Sequence, residues 1–199
     1  DIYGDTGEPV RGDKGELVCT KPFPSMPIGF WNDDKGEKYH SAYFDTFDNI
    51  WAHGDYGERT AEDGLIIHGR SDAVLNPGGV RIGTAEIYQQ VNAIDGIVDS
   101  IAVGKEIERN EQIWLFVQTI SGVTLDDRLV AEIKSRLKTS CSPRHVPSQI
   151  FAISDIPKTR SGKLVELAVK QVINGKEVEN LGAIANPDVL EEIRQLTFV

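Results

Sequence analysis

The stretch Pro157-Lys158-Thr159-Arg160-Ser161-Gly162-Lys163 places Lys158, Arg160 and Lys163 close together in a chain that is otherwise acidic. It lies between an apolar run, Gln149 to Ile153, and a helix-like run, Leu164 to Val169. Gly162 frees the backbone, and Lys163 is then expected in the first turn of the following helix. A cation there opposes the positive end of the helix dipole. An anionic partner would explain such poor local helix design, although a solvated basic turn is the commoner reading of one such stretch alone. Upstream, Gly69 to Gly83 contains Arg70, Asp72, the turn Asn76-Pro77-Gly78-Gly79, and Arg81. Paired glycines let a backbone approach a ligand closely, and the plain alternative is a hairpin loop with an exposed arginine. Further back, Trp51-Ala52-His53-Gly54-Asp55 ends in a carboxylate, a group able to accept hydrogen bonds from both hydroxyls of a ribose. Its bland reading is a turn aspartate after glycine.

The elements that must position these residues follow from periodicity. Gly15 to Thr20 reads as a strand and Phe23 to Phe30 as a Pro-broken loop. Strands are predicted at Trp51–His53, Tyr56–Thr60 and Leu65–His68, joined by turns at Gly54-Asp55 and Glu62-Asp63-Gly64. Thr84 is placed to cap a helix running through Tyr88 to Val91, with Glu86 near its positive end. Ile97–Val103 and Gln112–Ile120 read as strands. Leu129, Ile133 and Leu137 recur at four-residue spacing and predict a helix from about Asp126 to Thr139. Ser148 to Ile153 reads as a strand, and Leu164, Leu167, Ala168 and Val172 form the apolar stripe of a final helix. The later half is therefore a small α+β domain in the order β-hairpin, α, β, β, α, β, α.

Composition narrows the function classes. The chain has 199 residues, 40% hydrophobic and 26% charged, which suits a protein able to bury a core. Its net charge of −10 argues against nucleic-acid and anionic-membrane partners, which require a basic face. No apolar run approaches the ~20 residues of a membrane span, and no charged-then-apolar N-terminal stretch reads as a secretory signal. Cys19 and Cys141 are far apart, and with His40, His53, His68 and His145 they form no metal-ligand pattern, so no structural metal is expected. Reduced thiols and a cytoplasmic location follow as the default. The abrupt start at Asp1 is expected of a fragment.

In this order and at this spacing the three motifs resemble the signatures of the adenylate-forming superfamily, which includes acyl-CoA synthetases, adenylation domains and firefly luciferase. The resemblance runs from about Gly15 to the C-terminus. It implies that residues 1–71 are the β-rich end of a large adenylate-binding domain. Residues 72–199 would be the small mobile C-terminal domain, with a hinge near Asp72. It makes Lys163 the catalytic lysine of acyl-adenylate formation, Asp55 the ribose ligand, and Arg70 a contact to ribose and nearby phosphate. Gly78 and Gly79 would line the pantetheine path during thioester formation, with Gly78 lacking a side chain that many homologues carry. Arg81 would meet phosphate only in that second conformation. Lys138 and Arg144 read as solvated charges.

The implied activity is an AMP-forming acid–thiol ligase using ATP, coenzyme A and Mg²⁺. Within the family, Glu166 to Lys176 and Ala185 to Leu190 point to acetoacetate as the acid; acetate, propionate or another short acid is the alternative. The phosphate loop, the adenine and Mg²⁺ segment and the acyl pocket are missing. The chain would therefore depend on an N-terminal domain and be inactive alone. The rival from another class is a non-catalytic nucleotide- or CoA-binding module.

Overall fold

A computed structural model describes residues 1–108, 110–178 and 180–197. The chain divides into two compact units, Asp1–Asp72 and Ala73–Val199. The first is built on an antiparallel sheet of β1 (Ile2–Tyr3), β2 (Lys14–Cys19), β3 (Trp51–Arg59) and β4 (Leu65–Arg70), in that order. Ile2, Val18, Trp51, Ala52 and Tyr56 are its buried apolar positions. β3 runs unbroken through Gly54-Asp55, where the sequence predicts a turn between two strands. Gly54 does take a left-handed φ of 82° at a shift in the β2 register, yet pairing with β2 at Trp51–Ala52 and Tyr56–Glu58, and with β4 from Asp55 onward, keeps the strand continuous across it.

Helix α1 (Glu37–Tyr43) is a second departure, because this stretch has no apolar periodicity. Seven residues are too few to hold a helix by themselves. The Asp33 carboxylate accepts the Lys38 and Tyr39 amides at 3.1 and 2.8 Å, and the Tyr43 ring stacks on Trp51 with centroids 3.6 Å apart. Tertiary contact supplies what local propensity lacks.

The second unit follows the predicted order and adds one helix. It comprises α2 (Thr84–Val91), β5 (Ile97–Ile107), β6 (Asn110–Thr119), α3 (Asp127–Ser140), β7 (Gln149–Ala152), α4 (Glu166–Ile173) and α5 (Asp188–Thr197). β5 and β6 form an antiparallel hairpin, and β7 joins β6 in parallel after the α3 crossover. Alternate strand residues feed two cores, as the two-residue strand period requires. Ala102, Ile113, Leu115 and Val117 meet Ile87, Val91, Leu129, Ile133 and Leu137. On the other face Ile101, Val103 and Phe116 meet Val169, Val172, Ile173, Val189, Leu190 and Ile193.

Asp126 caps α3 by accepting the Leu129 amide at 2.8 Å. α2 begins at Thr84 itself, with Gly83 as the preceding cap residue, whose N–H donates to the Glu86 carboxylate at 3.2 Å. In α4 the buried stripe is Val169, Val172 and Ile173, while Leu167, predicted as core, is 49% exposed. The helix starts two residues later than expected, at Glu166, and its core-facing side is the one bearing Val169, Val172 and Ile173, opposite Leu167. That start is pinned by Tyr88, whose hydroxyl donates to Glu166 Oε1 at 2.6 Å and accepts the Ala102 amide at 3.1 Å. Burial, and then the adjacent Glu166 carboxylate, push the phenol well above its ordinary pKa, so it stays a donor. Among the described residues, no helix is long and apolar enough to cross a membrane.

Candidate functional site

In the first unit Asp55 and Arg70 face each other directly across the β3–β4 ladder. The half-buried Asp55 carboxylate stands 3.4 Å from Arg70 Nη1 and 3.5 Å from His53 Nε2. Arg70 also lies 3.6 Å from Asp72, which sits in a short 3-10 turn, Ser71–Ala73. These contacts exceed the ~2.7–2.9 Å of a tight charge-assisted bond, so the guanidinium fork retains donors for another anion. The need for glycine at position 54 is steric as well as conformational. A Cβ there would meet Arg70 Nη2 at 2.7 Å.

One residue that the sequence does not single out organises this corner. Glu16 on β2 accepts the Gly54 amide at 2.6 Å through one oxygen and the Ser71 hydroxyl through the other. It thereby fixes the backbone just before Asp55 and just after Arg70. No local signal marks it, because its partners are 38 and 55 residues away.

In the second unit the glycine turn is a miniature hairpin. Its stems are Leu75 and Ile82, both 1% exposed and bonded to each other through both backbone amides. Between them Gly78 and Gly79 take φ values of 61° and 82°. The Asn76 amide donates to Glu111 Oε1 at 2.7 Å, and the Gly78 amide to Asn110 Oδ1 at 3.0 Å. Glu111 is itself held by Lys170 of α4 at 2.9 Å. The two glycines differ in surroundings. A Cβ on Gly78 would strike Arg144 Nη1 at 2.8 Å, whereas one on Gly79 would meet nothing within 4 Å. Arg144 is exposed, yet it is more than a solvated charge, because its guanidinium leans on the Pro77 and Gly78 carbonyls, each at 3.4 Å. Arg81 is exposed just past the turn, and Lys138 is exposed in the last turn of α3.

Lys163 lies in a second tight hairpin. Thr159 donates its amide to the Lys163 carbonyl at 2.8 Å and accepts the Lys163 amide on Oγ1 at 3.1 Å, with Gly162 at φ 84° in the bend. The expectation that Lys163 occupies the first turn of the next helix is corrected: it stands three residues before α4, outside the dipole's first turn. Lys158 is neutralised by Asp99 at 2.5 Å. Among the described residues, Lys163 has no ion-pair partner, and its side chain is exposed. The hairpin therefore presents an uncompensated ammonium from a fixed backbone.

The described residues thus fall into two constellations, a carboxylate–guanidinium pair in the first unit and two cation-bearing glycine hairpins in the second. They contain no group of three or more His, Cys, Asp or Glu that could hold a metal.

Comparison with known proteins places these features in a class. Residues 86–163 match the AMP-binding enzyme C-terminal domain, and the chain as a whole resembles the C-terminal part of the adenylate-forming superfamily. More particularly, it is similar to acetoacetyl-CoA synthetases. That of Rhizobium meliloti (strain 1021) is 56% identical over 96% of this chain and 29% of its own length. That of Danio rerio is 47% identical over 96% and 28% respectively. The structure of the Streptomyces lividans acetoacetyl-CoA synthetase superposes with a TM-score of 0.91 at 40% identity, covering 98% of this chain and 30% of that one. The fold is that of the small C-terminal domain of adenylate-forming enzymes, preceded by a β-rich piece. The chain spans less than a third of the length of these relatives.

Proposed function

We propose that the chain is the C-terminal part of an AMP-forming acyl-CoA synthetase that joins acetoacetate to coenzyme A, with ATP converted to AMP and pyrophosphate through an acyl-adenylate. The observation that carries this reading is the unpaired Lys163 ammonium on its braced hairpin. In adenylate formation negative charge gathers between the attacking carboxylate and the α-phosphate. A preorganised cation at that point stabilises the transition state without any proton transfer.

Asp55 fits a ribose, since its half-buried carboxylate accepts hydroxyl donors while His53 and Arg70 limit its motion. Arg70 keeps donors for phosphate, and the 3-10 turn at Asp72 is the pivot about which the small domain turns between the two chemical steps. In the second step the glycine turn lines the path of the pantetheine thiol, with Arg81 toward phosphate. Mg²⁺, the ATP β- and γ-phosphates and the acyl group would be held by a large N-terminal domain. Acetoacetate is preferred to acetate or propionate because relatives acting on it, by their names, match nearly the whole chain, tail included. A cytoplasmic location accompanies this reading.

The test uses the full-length enzyme with a panel of short acids. Pyrophosphate release and thioester formation should require ATP and coenzyme A and be fastest with acetoacetate. Faster turnover of acetate or propionate would reassign the acid. No pyrophosphate from any acid would overturn the ligase reading.

A further inference from the structure

The hairpin that carries Lys163 has a third strand, supplied by the tail. Thr159 and Ile184 form an antiparallel bridge. The Ala185 amide donates to the Lys158 carbonyl at 2.8 Å, and the Arg160 amide donates to the Ala183 carbonyl at 3.2 Å. Asn186 completes the brace with its side chain. Its Oδ1 accepts the Lys158 amide at 3.1 Å, while Nδ2 donates to the Asp155 carboxylate at 2.7 Å and to the Ile156 carbonyl at 3.0 Å. Both donors of that amide are used, and all three contacts fall on the arm leading into the hairpin. Ile184 and Ile156 are buried in the same core as Val189, Leu190 and Ile193, so the tail cannot shift without disturbing packed side chains.

We infer that Asn186 is a positioning residue for Lys163, an inference that rests on the catalytic reading of that lysine. The backbone bonds at Ala183, through its carbonyl, and at Ala185, through its amide, do not depend on the side chains there, but the three bonds of the Asn186 side chain need a short amide. The arm bearing Lys163 is held by the entry arm, through Thr159, through the Lys158–Leu164 bridge and through the Val165 amide, which donates to the Pro157 carbonyl at 3.3 Å. The placing of the ammonium is thus inherited from residues 155–159, which Asn186 clamps. Nothing in Asn186 touches the reacting groups; it acts through the loop.

The experiment measures the two half-reactions separately in the full-length protein. Asn186→Ala should slow acyl-adenylate formation, read as single-turnover pyrophosphate release, by about tenfold, since misplacement by an ångström costs up to ~10²-fold. Thioester formation from supplied acyl-adenylate should keep its parental rate, which general loss of structure would not allow. Asn186→Asp sets a second carboxylate against Asp155 and should be slower still. Asp155→Asn combined with Asn186→Asp restores one donor and one acceptor in reversed order and should recover most of the rate. Parental adenylation in Asn186→Ala, an equal fall in both half-reactions, or no recovery in the exchanged pair would overturn the inference. Amide exchange at Lys158 and Arg160 supplies a reading independent of activity and should quicken in Asn186→Ala. A parent enzyme that forms no adenylate at all would remove the reading of Lys163 and this inference with it. An active parent with an unaffected variant would remove this inference alone.

Discussion

The lysine hairpin (157–164) and the glycine turn (75–82) are alike in outline, yet they are held in place by different means. Both are short, both bear glycine at positive φ, and both carry an exposed cation. The lysine hairpin is secured mainly by backbone bonds, from its own arms and from the tail strand at Ile184. The glycine turn has secured stems, but its tip adds two long backbone bonds, from the Gly79 and Val80 amides at 3.4 Å, and leans on side chains: Glu111, Asn110 and, loosely, Arg144. A backbone ladder tolerates replacement of the side chains it displays, which would suit the proposed role of presenting one ammonium. A turn that leans on side chains can be loosened one contact at a time, which would suit the proposed role of lining the path of a substrate arm.

The largest effect is expected where the ladder leaves geometry intact and only charge is lost. Lys163→Ala should cost on the order of 10²–10³ in acyl-adenylate formation, with amide exchange at Thr159 unchanged. Faster exchange there would mean that the side chain also holds the loop, and the contrast would fail. Tyr88→Phe leaves the Glu166 carboxylate without its donor at the start of α4 and should lower stability by about 1.5–3 kcal/mol in denaturant titration. Glu111→Gln keeps an acceptor for Asn76 but loses the Lys170 pair. A stability loss of about 1 kcal/mol is expected, with faster exchange at Asn76 and Gly78 and none at Thr159. The smallest effect belongs to Asp63, whose carboxyl is held below its usual pKa by the Arg11 hydrogen bond and charge and by Arg59. This contribution exists above the ordinary carboxylate pKa and fades as pH falls through the lowered value. Because the group is fully exposed, Asp63→Asn should leave the unfolding midpoint at pH 7 unmoved.

Much of this arrangement was legible in the sequence, and the exceptions share a cause. Leu129, Ile133 and Leu137 announced α3 because helical periodicity is local, and Asp126 announced its start. The three motifs named the residues later found at the Asp55–Arg70 pair and on the two hairpins. The bracing roles of Glu16, Glu111 and Asn186 were invisible, since each is a lone polar residue whose partners arrive from 28 to 59 residues away. α1 and the unbroken β3 were missed because neighbours in space override weak local preference there. Leu167 was misassigned because the core packs on Val169, Val172 and Ile173, and with about 3.6 residues per turn a side chain two positions before Val169 lies on the opposite side of the helix.

The central claim is that one small domain serves two chemical steps with two differently held loops, and single-turnover quench kinetics in the full-length enzyme test it most directly. Gly79 faces open space at φ 82°, so Gly79→Ala adds only backbone strain of about 1–2 kcal/mol, while Gly79→Leu adds bulk to the same strain. The account predicts that Gly79→Leu releases pyrophosphate near the rate of Gly79→Ala but makes far less acyl-CoA. Lys163→Ala should show the reverse, slow pyrophosphate release with normal thioester formation from supplied acyl-adenylate. A Gly79→Leu enzyme that lost pyrophosphate release as severely as thioester formation would contradict the account.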